Sequence, residues 1–284
     1  RIIHLVLSDT GAAYQEAASA FRAGIGQRGV VKTWSLADLS ASQMQNMTRS
    51  SNLLAPVGVK AARFVADNHG GQAPVLNLMI PRSASEKLQW PAGLERKKVS
   101  AVFIDQPPSR SLALVAAAFP YAHRVGLVIS PENAAVAKAL AQEASRRKLH
   151  LNLETVESAE DVSAALRRVL ADSDVLLLVP DAIAINSGNA QNVLLTTYRY
   201  RVPVVGFSEG LSNAGAVASV YSSPAQIGLQ GAQFALRMDD AGELPLAQHA
   251  TESSLAFNLY VARSLGLEIQ SESEIRRKMK VGND

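Results

Sequence analysis

Short runs of β-branched and leucine residues alternate with helical stretches along nearly the whole chain. In the first half, strand patterns at Ile2–Leu7, Leu53–Val57 and Val75–Ile80 are separated by helical patterns such as Ala12–Gln27 and Lys60–Asn68. Strands that alternate with helices are typical of a parallel sheet whose crossover connections are the helices. The pattern therefore predicts an α/β fold with parallel sheets.

The second half repeats this arrangement. Strand patterns at Arg124–Ile129, Leu151–Val156 and Val175–Val179 alternate with helical patterns at Asn133–Lys148 and Ala159–Ala171. After them come a strand and a helix over Ala216–Met238, and then a strand near Leu255–Phe257 and a short helix. A chain that has completed two halves and has elements left can send them back across the join, so we predict two lobes.

Composition excludes several classes of protein. Hydrophobic residues make up 48% of the 284 residues, but the longest apolar stretches, Asp174–Ile185 and Ser111–Phe119, are shorter than the ~20 residues of a membrane span. The net charge of +3 is too weak and too dispersed to indicate nucleic-acid binding. There is no cysteine, and the five histidines show no paired spacing, so we expect no disulfide and no metal site.

A glycine motif at Gly24–Gly29 matches the dinucleotide pattern G-x-G-x-x-G. That mechanism needs the glycines directly after a strand, where the following helix presents its amides to a pyrophosphate. Here the glycines stand at the end of a predicted helix and before a strand. We interpret them as a helix C-terminus and expect no cofactor.

A second motif, Gly206-Phe207-Ser208-Glu209-Gly210, matches the nucleophile elbow of α/β hydrolases, and Asp239, Asp240 and His249 follow it in the hydrolase order. The elbow must turn directly into a helix, and Leu211–Gly215 is predicted not to start one. A serine hydrolase using Ser208 is therefore the weaker alternative. A polar loop at the carboxyl end of a sheet strand is favoured.

The residues that follow the predicted strands are small, polar or charged. Because the carboxyl ends of parallel strands share one edge of a sheet, these residues are expected to meet there, and the sets from two lobes could face one another across a cleft. Hydroxyls, helix-start amides and isolated carboxylates suit a polar small molecule. The candidate ligand-binding residues are Ser8, Asp9, Thr10, Tyr14, Gly58, Val59, Lys60, Pro81, Asp181, Ser208 and Glu209.

Residues 203–219 carry a family resemblance. Pro203-Val-Val-Gly-Phe-Ser-Glu-Gly210 followed by Asn213-Ala-Gly-Ala-Val-Ala-Ser219 resembles the late signature of a family of ABC-transporter substrate-binding proteins that includes tryptophan and tyrosine binders. The segments at 121–129, 227–232 and 257–267 are similar to other parts of that family's sequence. The resemblance implies a type I periplasmic-binding fold, with two lobes of parallel sheet joined by three hinge crossings. The lobes are predicted at 1–105 plus about 222–250, and at 106–221 plus about 251–284.

The resemblance implies an extracytoplasmic or periplasmic protein that captures a small ligand, such as an amino acid or a related polar or aromatic molecule, for an ABC permease. It implies no catalysis, and we expect a monomer. The first lobe departs from the family at Gly58-Val59-Lys60-Ala61 and Pro81-Arg82-Ser83, which leaves the ligand open. The amides of Val59 and Lys60 are expected to bind a carboxylate or phosphate. Asp181 and Glu209 are expected to bind an amino group.

Two further expectations concern context. The chain starts directly with the strand pattern at Ile2–Leu7, so we expect that any targeting segment has been removed. The same fold could also serve as a ligand-sensing module of a receptor or regulator, and this alternative stays open beside transport.

Overall fold

The computed structural model describes residues 1–50 and 52–281, which form two compact units. Unit 1 consists of Arg1–Asp105 and Ser222–Ser253, and unit 2 of Gln106–Tyr221 and Ser254–Asp284. The chain therefore passes from one unit to the other three times. Residues 282–284, the end of the predicted C-terminal lobe, lie outside the described residues.

Unit 1 is built on one six-stranded parallel sheet. With elements numbered along the whole chain, its strands are β1 (Ile2–Leu7), β2 (Val30–Ser35), β3 (Leu53–Val57), β4 (Val75–Ile80), β5 (Val99–Phe103) and β11 (Gln248–His249). Its helices are α1 (Ala12–Ile25), α2 (Ala41–Ser50), α3 (Val59–Asp67), α4 (Arg82–Ser85) and α10 (Pro224–Arg237). The strand order is β11-β5-β4-β3-β1-β2.

The strands β3 and β4 are buried along their whole length, because helices cover both faces of the sheet. On one face, α10 packs closely against α1 and β4. A Cβ at Gly228 would lie 2.2 Å from the carbonyl oxygen of Ala17, and one at Gly231 would lie 2.7 Å from the side chain of Leu78. These two glycines therefore permit the close approach of α10.

Unit 2 is built on a second six-stranded sheet, in the order β12-β10-β9-β8-β6-β7. Its strands are β6 (Arg124–Ile129), β7 (His150–Thr155), β8 (Val175–Leu177), β9 (Val204–Gly206), β10 (Ala218–Tyr221) and β12 (Ser254–Phe257). Strand β12 is antiparallel to β10, and the other pairs are parallel. The helices are α5 (Pro108–Ala118), α6 (Ala134–Arg146), α7 (Val162–Ala171), α8 (Ala190–Arg199), α9 (Glu209–Ala214), α11 (Leu259–Ser264) and α12 (Glu272–Val281).

The prediction of an α/β fold with parallel sheets and crossover helices is confirmed. The interpretation of Gly24–Gly29 as a helix end is also confirmed, because α1 ends at Ile25 and Gly26 follows with φ of +54°. Helices α2, α5, α9 and α12 were not expected from the sequence. No helix within residues 1–50 and 52–281 has the length and apolar character needed to cross a membrane.

Candidate functional site

In unit 1, the carboxyl ends of the neighbouring strands β1 and β3 are joined through Ser8. The buried Ser8 hydroxyl donates to the carbonyl oxygen of Val57 at 2.9 Å and accepts from the Ala61 amide at 3.0 Å. Ser8 therefore closes the loop at the end of β1 onto the first turn of α3. These two contacts favour a positioning role for Ser8 at this edge of the sheet, and its predicted contact with a ligand stays a prediction.

Gly58 lies where β3 turns into α3, and its φ of +91° is in the region that side chains avoid. A Cβ at this position would come within 2.6 Å of both the Ser8 hydroxyl and the Tyr14 ring. The ring of Tyr14 thus packs directly over Gly58. Three of the predicted residues, Ser8, Tyr14 and Gly58, form one contact cluster.

The first turn of α3 places the backbone amides of Val59 and Lys60 next to this cluster. The Ala61 amide is bound by Ser8, and the Ala62 amide donates to the carbonyl oxygen of Gly58. In the described part of the chain, the amides of Val59 and Lys60 are therefore those still available for an anion, and the helix dipole adds positive potential there. The Lys60 side chain is exposed.

The Tyr14 phenol has a perturbed acidity. Burial raises the pKa of Tyr14, the charge of Asp9 raises it further, and a hydrogen bond with Ser8 acts in the opposite direction. The phenol is therefore neutral at physiological pH.

The remaining candidates of unit 1 lie at the same edge but have other contacts. Asp9 is exposed, and its carboxylate accepts from the Gly11 amide at 2.7 Å ahead of α1. Thr10 is exposed. Pro81 follows β4, and its carbonyl oxygen accepts from Ala84 and Ser85 in α4. A ligand role for these three residues stays a prediction.

In unit 2, Asp181 is buried at the carboxyl end of the sheet, and protein donors surround its carboxylate. One oxygen accepts from the Ser130 amide at 2.7 Å, the Ser130 hydroxyl at 2.9 Å and the Asn133 side chain at 2.8 Å. The other oxygen accepts from the amides of Ile183 at 3.0 Å and Ala184 at 2.9 Å. These contacts favour a positioning role for Asp181, and its predicted contact with a ligand amine stays untested.

Electrostatics at Asp181 agree with this role. Burial alone would raise the pKa of the Asp181 carboxyl, but hydrogen bonds from the amides of Ala184 and Ser130 and from the side chains of Asn133 and Ser130 outweigh it. The pKa is therefore below its ordinary value. The carboxylate is charged and its charge is already compensated.

A cavity of about 500 Å³ lies next to Asp181, between the segment after β8 and the start of α9. Most of its wall is apolar and includes Pro180, Ile185, Phe207 and Leu211. Ser208 also lines the cavity, and Glu209 is exposed beside it. Cavities of this size and character accommodate small organic molecules. Phe207 and Ile185 were not among the predicted site residues, because an apolar residue after a strand has the same sequence signal as a core residue.

A helix follows Ser208, although the sequence predicted none there. Residues 209–214 form α9, so the absence of a helix after Gly206–Gly210 was a wrong premise. The loop still differs from a nucleophile elbow. Ser208 is an extended N-cap whose hydroxyl accepts from the Leu211 amide, and within the described residues no histidine donates to it or accepts from it.

His249, the residue that the hydrolase order would require as a base, is engaged in unit 1. Its Nε2 lies 3.2 Å from the Asp105 carboxylate at the end of β5. Nor do the described residues contain a group of three or more His, Asp or Glu side chains that could hold a metal ion.

Comparison with solved structures supports the fold. A substrate-binding protein with adhesive properties from Clostridium difficile, in a ligand-free open structure, is 16% identical with a TM-score of 0.75, covering 96% of this chain and 97% of that one. An ABC domain from Streptococcus pneumonia, solved with L-Trp, is 16% identical with a TM-score of 0.68, covering 96% and 98%. A conserved domain protein from Vibrio cholerae is 18% identical with a TM-score of 0.67, covering 97% of each chain.

These similarities are below 25% identity and concern the fold, which is the predicted type I periplasmic-binding fold. Comparison with curated protein sequences gave no match. The family follows from the sequence itself, because residues 32–278 match the model of the ABC transporter substrate binding protein family. The chain belongs to the family of ABC transporter substrate-binding proteins.

Proposed function

We propose that this chain captures a small organic molecule outside the cytoplasm and delivers it to an ABC permease, without catalysing a reaction. The observation that carries the proposal is the apolar cavity beside Ser208 at the carboxyl edge of the unit 2 sheet. Open α/β sheets bind ligands at this edge. Family membership supports the permease as partner and the extracytoplasmic location.

Two chemical features restrict the class of ligand that the protein can bind. The cavity wall suits an apolar or aromatic group. Asn186, Ser187 and Ser208 are polar residues of its lining, and the exposed Glu209 follows Ser208. In unit 1, the amides of Val59 and Lys60 suit a carboxylate or phosphate, and the neutral Tyr14 phenol lies in the cluster next to them. A small molecule with an apolar body and an amino group, such as an amino acid with an apolar side chain, matches the cavity of unit 2 and Glu209. The L-Trp bound to the streptococcal relative is a molecule of this class.

Asp181 is assigned a different role from the one expected. Because five protein donors contact its carboxylate, we propose that it fixes the loop that forms the cavity wall. We assign the amino group of a ligand to Glu209, which is exposed next to Ser208.

The first experiment is a thermal-shift screen against amino acids, nucleosides, sugars and small organic acids. A ligand at 100 times its Kd should add about 2.7 kcal/mol to the free energy of unfolding. The cavity is then tested with Ala182→Trp, which places an indole at its wall, and with Ala159→Trp as a matched control on an exposed loop of the same unit. We expect the first variant to abolish the thermal shift and the second to retain it. Equal shifts in both variants would place the ligand elsewhere.

A reconstitution experiment distinguishes a transport function from a sensing function. If the neighbouring genes encode a permease and an ATPase, these two proteins in lipid vesicles should show ATP hydrolysis that is stimulated by the loaded protein. A protein that binds its ligand but leaves the ATPase unstimulated, and whose neighbouring genes encode a receptor kinase, would instead be a sensor.

The hydrolase alternative has less support, because the Ser208 hydroxyl caps α9 and His249 is paired with Asp105. An ester hydrolysis assay with wild type and Ser208→Ala tests it directly. Activity in the wild type that disappears in the variant would establish a serine hydrolase and contradict the proposal.

A further inference from the structure

Unit 1 contains a second cavity, of about 690 Å³, beside β5 and β11. It exists because the connection between β4 and β5 is unusually poor in helix. Helix α4 has only four residues, and residues 86–98 that follow it contain no α-helix. One face of β5 is therefore covered by a loop where a full crossover helix would lie in a regular α/β unit.

The inner wall of this cavity is apolar and aromatic. Val99 and Phe103 project from β5, and Leu88, Trp90 and Leu94 come from the covering loop. Trp90 is only half-buried, although it packs edge-to-face against the buried His69 ring at 6.2 Å. The wall thus offers a flat, partly open surface of the kind that binds planar apolar groups.

The rim of the cavity has an excess of positive charge. Arg82, Arg96 and Glu86 lie on it. Arg82 uses its Nε to bind Glu86 at 2.7 Å, and the pair is exposed. Arg96 is exposed, and its guanidinium has no hydrogen-bond or ion-pair partner within residues 1–50 and 52–281. A guanidinium free to form two parallel hydrogen bonds is a recognition group for carboxylate and phosphate.

Two of the other polar side chains at this cavity already have partners. His249 is held by Asp105, whose second carboxylate oxygen accepts from the Arg82 amide at 2.8 Å. The Ser100 hydroxyl donates to the carbonyl oxygen of Pro245. Ser85 and Gln248 also line the cavity but are uncharged, so Arg82 and Arg96 are the groups through which it can select an anionic ligand.

We propose that this cavity is a second binding site, for a small amphipathic anion with a planar apolar body and one carboxylate or phosphate. The body lies against Trp90 and Phe103, and the anionic group binds Arg96. The cavity shares no lining residue with the cluster of Ser8, Tyr14 and Gly58 or with the cavity beside Ser208. Occupancy of this site is thus a property separate from capture of the transported molecule.

The chain contains two tryptophans, Trp34 and Trp90, which gives the proposal a local reporter. We would titrate 2-naphthoate into 15N-labelled protein and follow both indole N–H signals, assigned with Trp→Phe variants. The probe should shift the Trp90 signal saturably and leave the Trp34 signal in place, since Trp34 donates to His4 elsewhere on the sheet. Naphthalen-2-ylmethanol, which has the same ring and no charge, should bind about tenfold more weakly.

Variants locate the anionic group. Arg96→Gln should weaken 2-naphthoate binding about tenfold, as expected for loss of a charge-assisted hydrogen bond. Lys97→Gln is the matched control, because it removes the same charge from the next residue, which does not line the cavity. Ala247→Phe at the wall should abolish binding, and Ala92→Phe on the same covering loop should not.

Three results would overturn the proposal. These are an unchanged Trp90 signal at saturating probe, equal affinities for the acid and the alcohol, and equal effects of Arg96→Gln and Lys97→Gln. Binding that survives Ala247→Phe would likewise place the probe at another site and contradict the assignment.

Discussion

Asp181 accepts two hydrogen bonds from Ser130, one from its amide at 2.7 Å and one from its hydroxyl at 2.9 Å. The pair ties the segment after β8 to the end of the neighbouring strand β6, 51 residues earlier in the chain. The loop that walls the cavity beside Ser208 is therefore fixed by a contact between two separate crossovers.

Replacing this carboxylate should destabilise the protein. Asp181→Asn puts an amide NH₂ where donors now converge, so we expect a loss of about 3 kcal/mol in the free energy of unfolding. Chemical denaturation measures it. Asp172→Asn, at a carboxylate with an exposed side chain, is the control, and equal small losses in both variants would mean that the Asp181 network contributes little.

Gly58→Ala should damage unit 1 through two effects, its φ of +91° and the 2.6 Å approach to Ser8 and Tyr14. The left-handed conformation alone costs about 1–2 kcal/mol for a residue with a Cβ, and the steric overlap adds to it. Gly26→Ala isolates the first effect, because Gly26 has φ of +54° and nothing within 4 Å of an added Cβ. In thermal unfolding, Gly58→Ala should have a clearly lower Tm than Gly26→Ala. A lower Tm for Gly26→Ala would contradict the packing of the Tyr14 ring over Gly58.

Acid should destabilise unit 2 through Asp174. Burial acts to raise the pKa of this carboxyl, but hydrogen bonds from Arg124 and from the His123 and Arg124 amides lower it from 3.8 to about 2. A folded-state pKa below the unfolded value gives stability that is present above pH 3.8 and is lost as the pH falls toward 2. The free energy of unfolding of wild type should therefore fall more steeply over this range than that of Asp174→Asn.

A second pH effect is expected at His4. Burial lowers its pKa below 6.5, the charge of Lys32 adds to this effect, and Trp34 donates to its Nδ1 at 2.9 Å. The folded state resists protonation of His4, so stability is fully present above pH 6.5 and decreases as the pH falls below it. His4→Gln should reduce this decrease. It should not abolish it, because burial also lowers the pKa of His69.

The sequence pattern identified the fold class because most strands and crossover helices have a distinct period. It failed at α5, where all residues from Ser111 to Val115 are buried and the polar face that marks a helix is missing. The pattern also failed to predict α9, because Gly210 and Asn213 are poor helix formers. The helix forms there because Ser208 caps it and Leu211 and Ser212 are buried.

The site was predictable only in outline. The edge of the sheet follows from the ends of the strands, and Ser8, Tyr14 and Gly58 do meet there. The partners of Asp181 could not be read from the sequence, since Ser130 and Asn133 are 51 and 48 residues away. A carboxylate after a strand looks the same whether it is free or saturated.

The close packing of α10 on α1 has a consequence for synthesis on the ribosome. Unit 1 begins at the first residue, but α10, which covers α1 and β4 through Gly228 and Gly231, is made only after the whole of residues 106–221. Until then α10 cannot cover Ala17, Phe21 and Leu78, which it contacts in the folded protein. Unit 1 is therefore still incomplete when residues 106–221 of unit 2 have been synthesised. A chaperone that shields this apolar face should favour productive folding.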